Sequence, residues 1–167
     1  SRAFFGGGYV QSGTPATNAI EYVSIQTTGN TVDFGDLTSA RSDGPSAFSS
    51  TTRGIWAGGG GTNTMEFITF ASTGDATNFG DLLELSNSGG SVSDSTRGVI
   101  ATGGIPSSPG RRDNINFVTM ASTGDATDFG DVSVETSLAR GMNNRTRGVF
   151  HLGGIAPSNG NNTLEYV

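Results

Sequence analysis

The stretch Ala71-Ser72-Thr73-Gly74-Asp75-Ala76-Thr77-Asn78-Phe79-Gly80-Asp81 returns almost letter for letter at Ala121 to Asp131, and in looser form at Gln26 to Asp36. A turn-rich phrase that recurs along a chain marks a stacked unit, so the repeat is read before any single residue. Four arginines set its phase. Arg2, Arg53, Arg97 and Arg147 each precede a short apolar run: Phe4-Phe5, Ile55-Trp56-Ala57, Val99-Ile100-Ala101 and Val149-Phe150-His151-Leu152. Six residues after each arginine stands a glycine, Gly8, Gly59, Gly103 or Gly153. Such a run closed by glycine reads as a short strand buried on both faces, with a tight exit.

A second strand follows in every copy: Ile20 to Ile25, Met65 to Phe70, Ile115 to Met120 and Leu164 to Val167. On the two-residue period both of its faces carry apolar groups, as in a sheet packed between two others. From its first residue to the Phe of Phe-Gly-Asp the count is 14 in each complete copy (Ile20 to Phe34, Met65 to Phe79, Ile115 to Phe129), and a fixed count means a fixed turn. Thr28-Gly29-Asn30, Thr73-Gly74-Asp75 and Thr123-Gly124-Asp125 supply turn residues tolerant of positive φ. The segments from Asp36 to Arg53, Asp81 to Arg97 and Asp131 to Arg147, 17, 16 and 16 residues long, leave room for a connection and one weaker strand, such as Ser46 to Ser50. The repeats run approximately 2–52, 53–96, 97–146 and, in part, 147–167 of a single unit covering 1–167. Four short strands per unit and no helical period predict an all-β fold.

Composition narrows the function. Ten Phe, three Tyr and one Trp recur in phase with the repeat, so a chain with 27 Gly and only 33% apolar residues still folds. There is no Cys, which excludes disulfides and Cys-ligated zinc. Nine arginines against fifteen carboxylates, a net charge of -6, argue against nucleic acid and anionic membranes as partners. No apolar run approaches the roughly 18 to 20 residues of a membrane span, and no membrane insertion is expected. A first residue other than Met is what a processed chain or a fragment would show.

These residues resemble the kelch family of β-propellers. The likeness rests on an apolar run ending in double glycine, an aromatic-bearing strand, an aromatic-centred strand, and an arginine before the next unit (Arg41, Arg140). The chain departs from typical kelch repeats in placing Phe34, Phe79 and Phe129 where Trp is usual, and in its fixed Thr-Arg-Gly. With Ser-Thr-Gly-Asp-Ala-Thr-Asp-Phe-Gly-Asp, it is more specifically similar to kelch-like repeats in structural and tail proteins of tailed bacteriophages. The resemblance implies 14 strands in about three and a half four-stranded antiparallel blades, part of a larger six- to eight-bladed ring completed by further polypeptide or further copies. It implies a non-enzymatic virion component, in a tail or fibre, serving assembly or host attachment. Its partners would be other virion proteins or further copies of itself, and a host surface glycan; its location would be virion or extracellular. The alternatives are a cellular lectin-like or protein-binding kelch propeller and, less favoured, a glycan hydrolase. The copper chemistry of some kelch enzymes needs a Cys and two His and is not carried over; no cofactor or metal is expected.

The link from the double glycine to the next strand spans 12, 6, 12 and 11 residues, so variation gathers on one face, where recognition is usually placed. Tyr9, Gln11, Arg111, Arg112, Asp113, Asn159 and Asn161 are the candidate binding residues there, set against the reading that these are solvated loops. Arg53, Arg97 and Arg147 either line a basic channel or, as preferred, pair with Asp36, Asp81 and Asp131, since a repeated partly buried charge needs a repeated partner. The Asp-rich phrase lacks EF-hand spacing, so it is read as a turn. His151, the one histidine, assembles into no catalytic set and is read as a packed residue. Asn144-Arg-Thr and Asn161-Asn-Thr match glycosylation acceptors, a match that arises cheaply in an Asn/Thr-rich chain. Glu21, Glu66 and Glu165 recur once per unit, too regularly for one active site.

Overall fold

A computed structural model describes residues 1–9, 15–101, 103–104, 110–154 and 162–167. The described residues are all-β. Fourteen strands form four antiparallel meanders. The first holds β1 (Arg2–Gly6), β2 (Ala19–Ser24) and β3 (Val32–Asp36); the second β4 (Ser46–Ser49), β5 (Arg53–Ala57), β6 (Thr64–Thr69) and β7 (Thr77–Asp81). The third holds β8 (Gly90–Ser93), β9 (Arg97–Ala101), β10 (Arg112–Thr119) and β11 (Thr127–Thr136); the fourth β12 (Ala139–Asn143), β13 (Gly148–Leu152) and β14 (Leu164–Tyr166). The arginine-led strand and the one after it form in all four copies, and the Phe-Gly-Asp strand in the three complete ones. The weaker one opens each sheet from the second onward, so sheets begin one strand before the arginine that sets the sequence phase.

Three apolar cores lie between consecutive sheets. Ile20, Phe34, Leu37 and Trp56 fill the first, Phe48, Met65, Phe79 and Ile100 the second, and Val92, Val99, Ile115 and Phe150 the third. The two-faced strands explain this. In β6, Met65 faces the core shared with the third sheet and Ile68 the core shared with the first.

The Phe-Gly of the repeated phrase is a β-bulge. Ile20 pairs with Gly35 and Glu21 with Asp33, so Phe34 is the extra residue, and the same register shift falls at Phe79 and Phe129. The bulge turns Phe34 and Phe79 into the cores, where they are 3% and 2% exposed. Burying a Phe contributes about 1.5–3 kcal/mol.

The constant hairpin is more than a turn. The second and third hairpins of the phrase bond to the last strand of the sheet before them. Gly74 N–H donates to the Phe34 carbonyl (2.9 Å) and Ala76 N–H to that of Asp36 (2.7 Å); Asp75 Oδ1 accepts from the Asp36 N–H (3.0 Å). One sheet on, Gly124, Ala126 and Asp125 repeat this with Phe79 and Asp81 at 2.7, 2.8 and 3.0 Å. The approach is so close that a Cβ on Gly35 would overlap the Gly74 carbonyl, and one on Gly80 that of Gly124. Both glycines also sit at positive φ, 150° and 146°.

Candidate functional site

The preferred pairing of the repeated arginines with Asp36, Asp81 and Asp131 does not form. Among the described residues the ion pairs are Arg41–Glu66 and Arg112–Glu84. The guanidinium groups instead lie over aromatic rings of their own sheets: Arg53 over Phe67 at 4.6 Å, Arg97 over Phe117 at 4.5 Å and Arg147 over Tyr166 at 4.9 Å. Arg53 also donates to the Met120 carbonyl of the next sheet (3.0 Å), as Arg2 does to that of Phe70. The planar cation stacks on one sheet while its edge reaches the next, which a carboxylate partner would prevent. Asp36 and Asp81 are held through their backbone N–H groups by the hairpin of the next sheet.

The repeated acidic position in the third strand is structural as well. Glu66 accepts from the Thr38 N–H, Asn116 from the Leu83 N–H (3.1 Å) and Glu165 from the Ser133 N–H (3.0 Å). Thr38 and Leu83 lie just past the last strand of the preceding sheet and Ser133 within it, so each contact ties two sheets. Glu66, fully buried, also meets the buried Arg41, which donates to the Gly58 carbonyl (3.1 Å). These side chains are spread one per sheet, with Asn116 in place of a carboxylate in the third, so they form no carboxylate pair.

Antiparallel order puts the loops at two ends. Hairpins joining first to second and third to fourth strands lie at one end; the unequal links and the connections between sheets lie at the other. At the unequal end the loops bond in series: Gly8 N–H to the Arg41 carbonyl (2.6 Å), Gly59 to Ser86 (2.7 Å), Asn87 to Gly104 (2.7 Å) and Ser137 to Gly154 (2.9 Å). A shallow cleft of about 240 Å³ opens there between β4, β8 and β12, with Ser46, Gly89, Ser91 and Gly141 on its walls and Arg140 at its side. Arg140 is exposed; Nη1 donates to the Ala139 carbonyl (2.7 Å) and the Ser88 carbonyl (3.3 Å). A guanidinium over glycine and serine suits an oxygen-rich or anionic group.

Of the candidate binding residues, Tyr9 lies in this end, 58% exposed and bridged to Ala16. Arg112 and Asp113 correct the loop assignment. They belong to β10, which is longer than its counterparts because β11 is longer too and Arg112 pairs with Thr136. Arg112 is held by Glu84 at 2.6 Å and by the Arg111 carbonyl at 2.8 Å. Arg111 stands just before the strand. Gln11, Asn159 and Asn161 lie outside the described residues. In the sequence Arg140 stands out by its repeat position, and small residues at Gly89-Gly90-Ser91 are the further sign of a cleft.

At the opposite end a cavity of about 740 Å³ is lined by the turns Ser49–Thr51, Ser93–Ser95 and Asn143–Arg145. Ser50, Asp94 and Asn144 stand at one position of the repeat, and each side-chain oxygen accepts two N–H groups ahead: 3.2 and 3.1 Å for Ser50, 2.6 and 2.7 Å for Asp94, 2.9 and 2.9 Å for Asn144. The N–H groups of Arg97 and Thr96 hold the Asp94 carboxyl below the usual carboxylate range. Among the described residues no three His, Asp or Glu are placed to hold a metal ion, and no helix is long and apolar enough to cross a membrane. No protein-family model matches the chain, and no curated protein matches it significantly.

Proposed function

We propose that the four meanders are blades of a kelch-like β-propeller segment, a non-enzymatic binding and structural module of a tailed-bacteriophage virion, in a tail or fibre. One observation carries the binding reading. Repeated residues such as Arg2, Arg53, Glu66, Glu165 and the glycines and aspartates of the second and third hairpins make contacts that hold one sheet to the next, so recognition falls to the unequal links. The cleft beside Arg140 lies at that end, and its chemistry favours a hydroxyl-rich or acidic glycan of a host surface. Successive sheets stacked through one repeated staple support the propeller reading, and the sequence resemblance supports the virion. Binding to an array of neutral and acidic glycans tests it. Arg140→Ala, a substitution at an exposed side chain, is expected to lower affinity for acidic glycans at least about tenfold, the loss of one charge-assisted hydrogen bond. Undiminished binding would exclude the cleft. For the virion, the genes flanking the full reading frame decide, and a metabolic neighbourhood would count against it.

A further inference from the structure

The first strands β4, β8 and β12 lie side by side along the molecule, and among the described residues the first sheet has no strand at the corresponding place. A cleft of about 490 Å³ occupies that place, between the edge of β1 and β4. We propose that it is an acceptor for one further extended strand with the chemistry of β4: small polar residues alternating with one large apolar side chain. The row of first strands is an established packing surface, and the cleft is its next position.

Three observations define what fits. β1 offers a free edge. Ser1 and Gly7 pair with Ile25 and Ala19 through hydrogen bonds, so by antiparallel register the N–H and C=O of Arg2, Phe4 and Gly6 point away from β2, toward the cleft. Their counterparts Arg53, Ile55 and Ala57 are the β5 residues whose main chain faces β4. Next, each first strand lays its apolar side chain against a glycine of the following sheet. Phe48 lies where a Cβ on Gly98 would be, and Val92 where one on Gly148 would be. Gly54 is the equivalent position in the cleft, where the Phe70 ring comes within 3.0 Å of the Cβ position and stacks on Phe4 at 4.9 Å. Finally, Met120, the counterpart of Phe70, packs in the same core as Phe48. The incoming apolar residue therefore belongs on the Gly54 side of the cleft, against the edge of the stacked Phe70 and Phe4 rings. This inference rests on sheet packing and is independent of the glycan reading.

The probe is a synthetic peptide with the sequence of Pro45 to Thr51, added to the 167-residue chain. Trp56, the one tryptophan, lines the cleft and reports occupancy by fluorescence. Saturable change is expected, with amide exchange slowed at Arg2, Phe4 and Gly6 and unaltered at Ala3 and Phe5, which already face β2. A peptide with Asp in place of its Phe is expected to be silent. In a second measurement the same seven residues are fused ahead of Ser1, which sets the copied Phe opposite Phe4 as Phe48 stands opposite Ile55. The fusion is expected to raise the melting midpoint by at least about 2–4 °C, the shift of 1 kcal/mol in a chain of this size. A rise equal for the Phe and Asp fusions, exchange slowed elsewhere, or dimerisation through the cleft that the peptide does not displace would overturn the proposal.

Discussion

Alanine at Gly80 and at Gly130 separates the staple between sheets from the conformational demand of the bulge. Both glycines occupy the same repeat position with positive φ, 146° and 134°. At Gly80 a Cβ would run into the Gly124 carbonyl and stand 2.9 Å from the Asp125 nitrogen, whereas at Gly130 nothing lies within 4 Å. Alanine in such a backbone costs about 1–3 kcal/mol at either site. At Gly80 the hairpin must also withdraw, with its bonds from Gly124 (2.7 Å) and Ala126 (2.8 Å). Two net hydrogen bonds are worth about 2 kcal/mol together. Gly80→Ala is thus expected to cost about 3–5 kcal/mol and Gly130→Ala about 1–3 kcal/mol. Urea unfolding reads the difference as roughly 1 M in midpoint at a slope of about 2 kcal/mol per M. Amide exchange at Gly124 and Ala126 locates it. Equal midpoints for the two variants, or unchanged protection at those amides in Gly80→Ala, would refute the staple.

Other substitutions probe the remaining contacts. Arg41→Ser strands the fully buried Glu66 and is expected to cost about 3–5 kcal/mol; Arg41→Ser with Glu66→Asn imports the Ser86 and Asn116 of the next unit and should recover at least half of that in urea unfolding. Arg97→Ala removes the stack on Phe117 and should lower the melting midpoint, worth about 0.5–1 kcal/mol, while Asp81→Ala, whose carboxylate makes no ion pair, stays within about 0.5 kcal/mol of the parent. For Asp94 the folded-state pKa is depressed, so its stabilisation is present above the ordinary carboxylate value near 3.8 and is lost as pH falls through the lower folded value. Urea midpoints followed down to about pH 2 should show that acid loss in the parent and less of it in Asp94→Asn, because Asn144 makes the same two bonds uncharged.

The strands were legible in the sequence because a period of two and a fixed count of residues are local properties. In the sequence only the room between Asp36 and Arg53 marks Ser46 to Ser50 as a strand, and β4 forms there because Phe48 has a core to enter. What the arginines touch was not legible. Carboxylate pairing and aromatic stacking make the same demand on the sequence, a repeated partner at a fixed distance, and the repeat supplies both Asp81 and Phe67. The choice falls to the bulge, which sends Phe79 into the core and leaves the Asp81 N–H to the hairpin of the next sheet, while Phe67 stays on the strand beside Arg53. The lengthening of β10 was equally hidden, since Arg111-Arg112-Asp113 carries loop composition and is drawn into the sheet by pairing with β11 and by Glu84.

Position in the stack then decides what identical letters do. Trp56, Ile100 and Phe150 occupy one repeat position and enter the three cores between sheets; Phe5, their counterpart in the first sheet, is 56% exposed. Glu66 is buried against the preceding connection, and Glu21 lies open. Phe79 is covered by the next hairpin, and Phe129 is 40% exposed. Each sheet therefore presents one face built to receive the sheet before it and one built to receive the sheet after it, and a pairwise interface of this kind makes stability a sum over neighbours. It follows that substitutions at equivalent positions should differ in cost by which neighbour is present and far less by the residue itself, with Phe5→Ala cheap where Phe150→Ala costs about 3–5 kcal/mol.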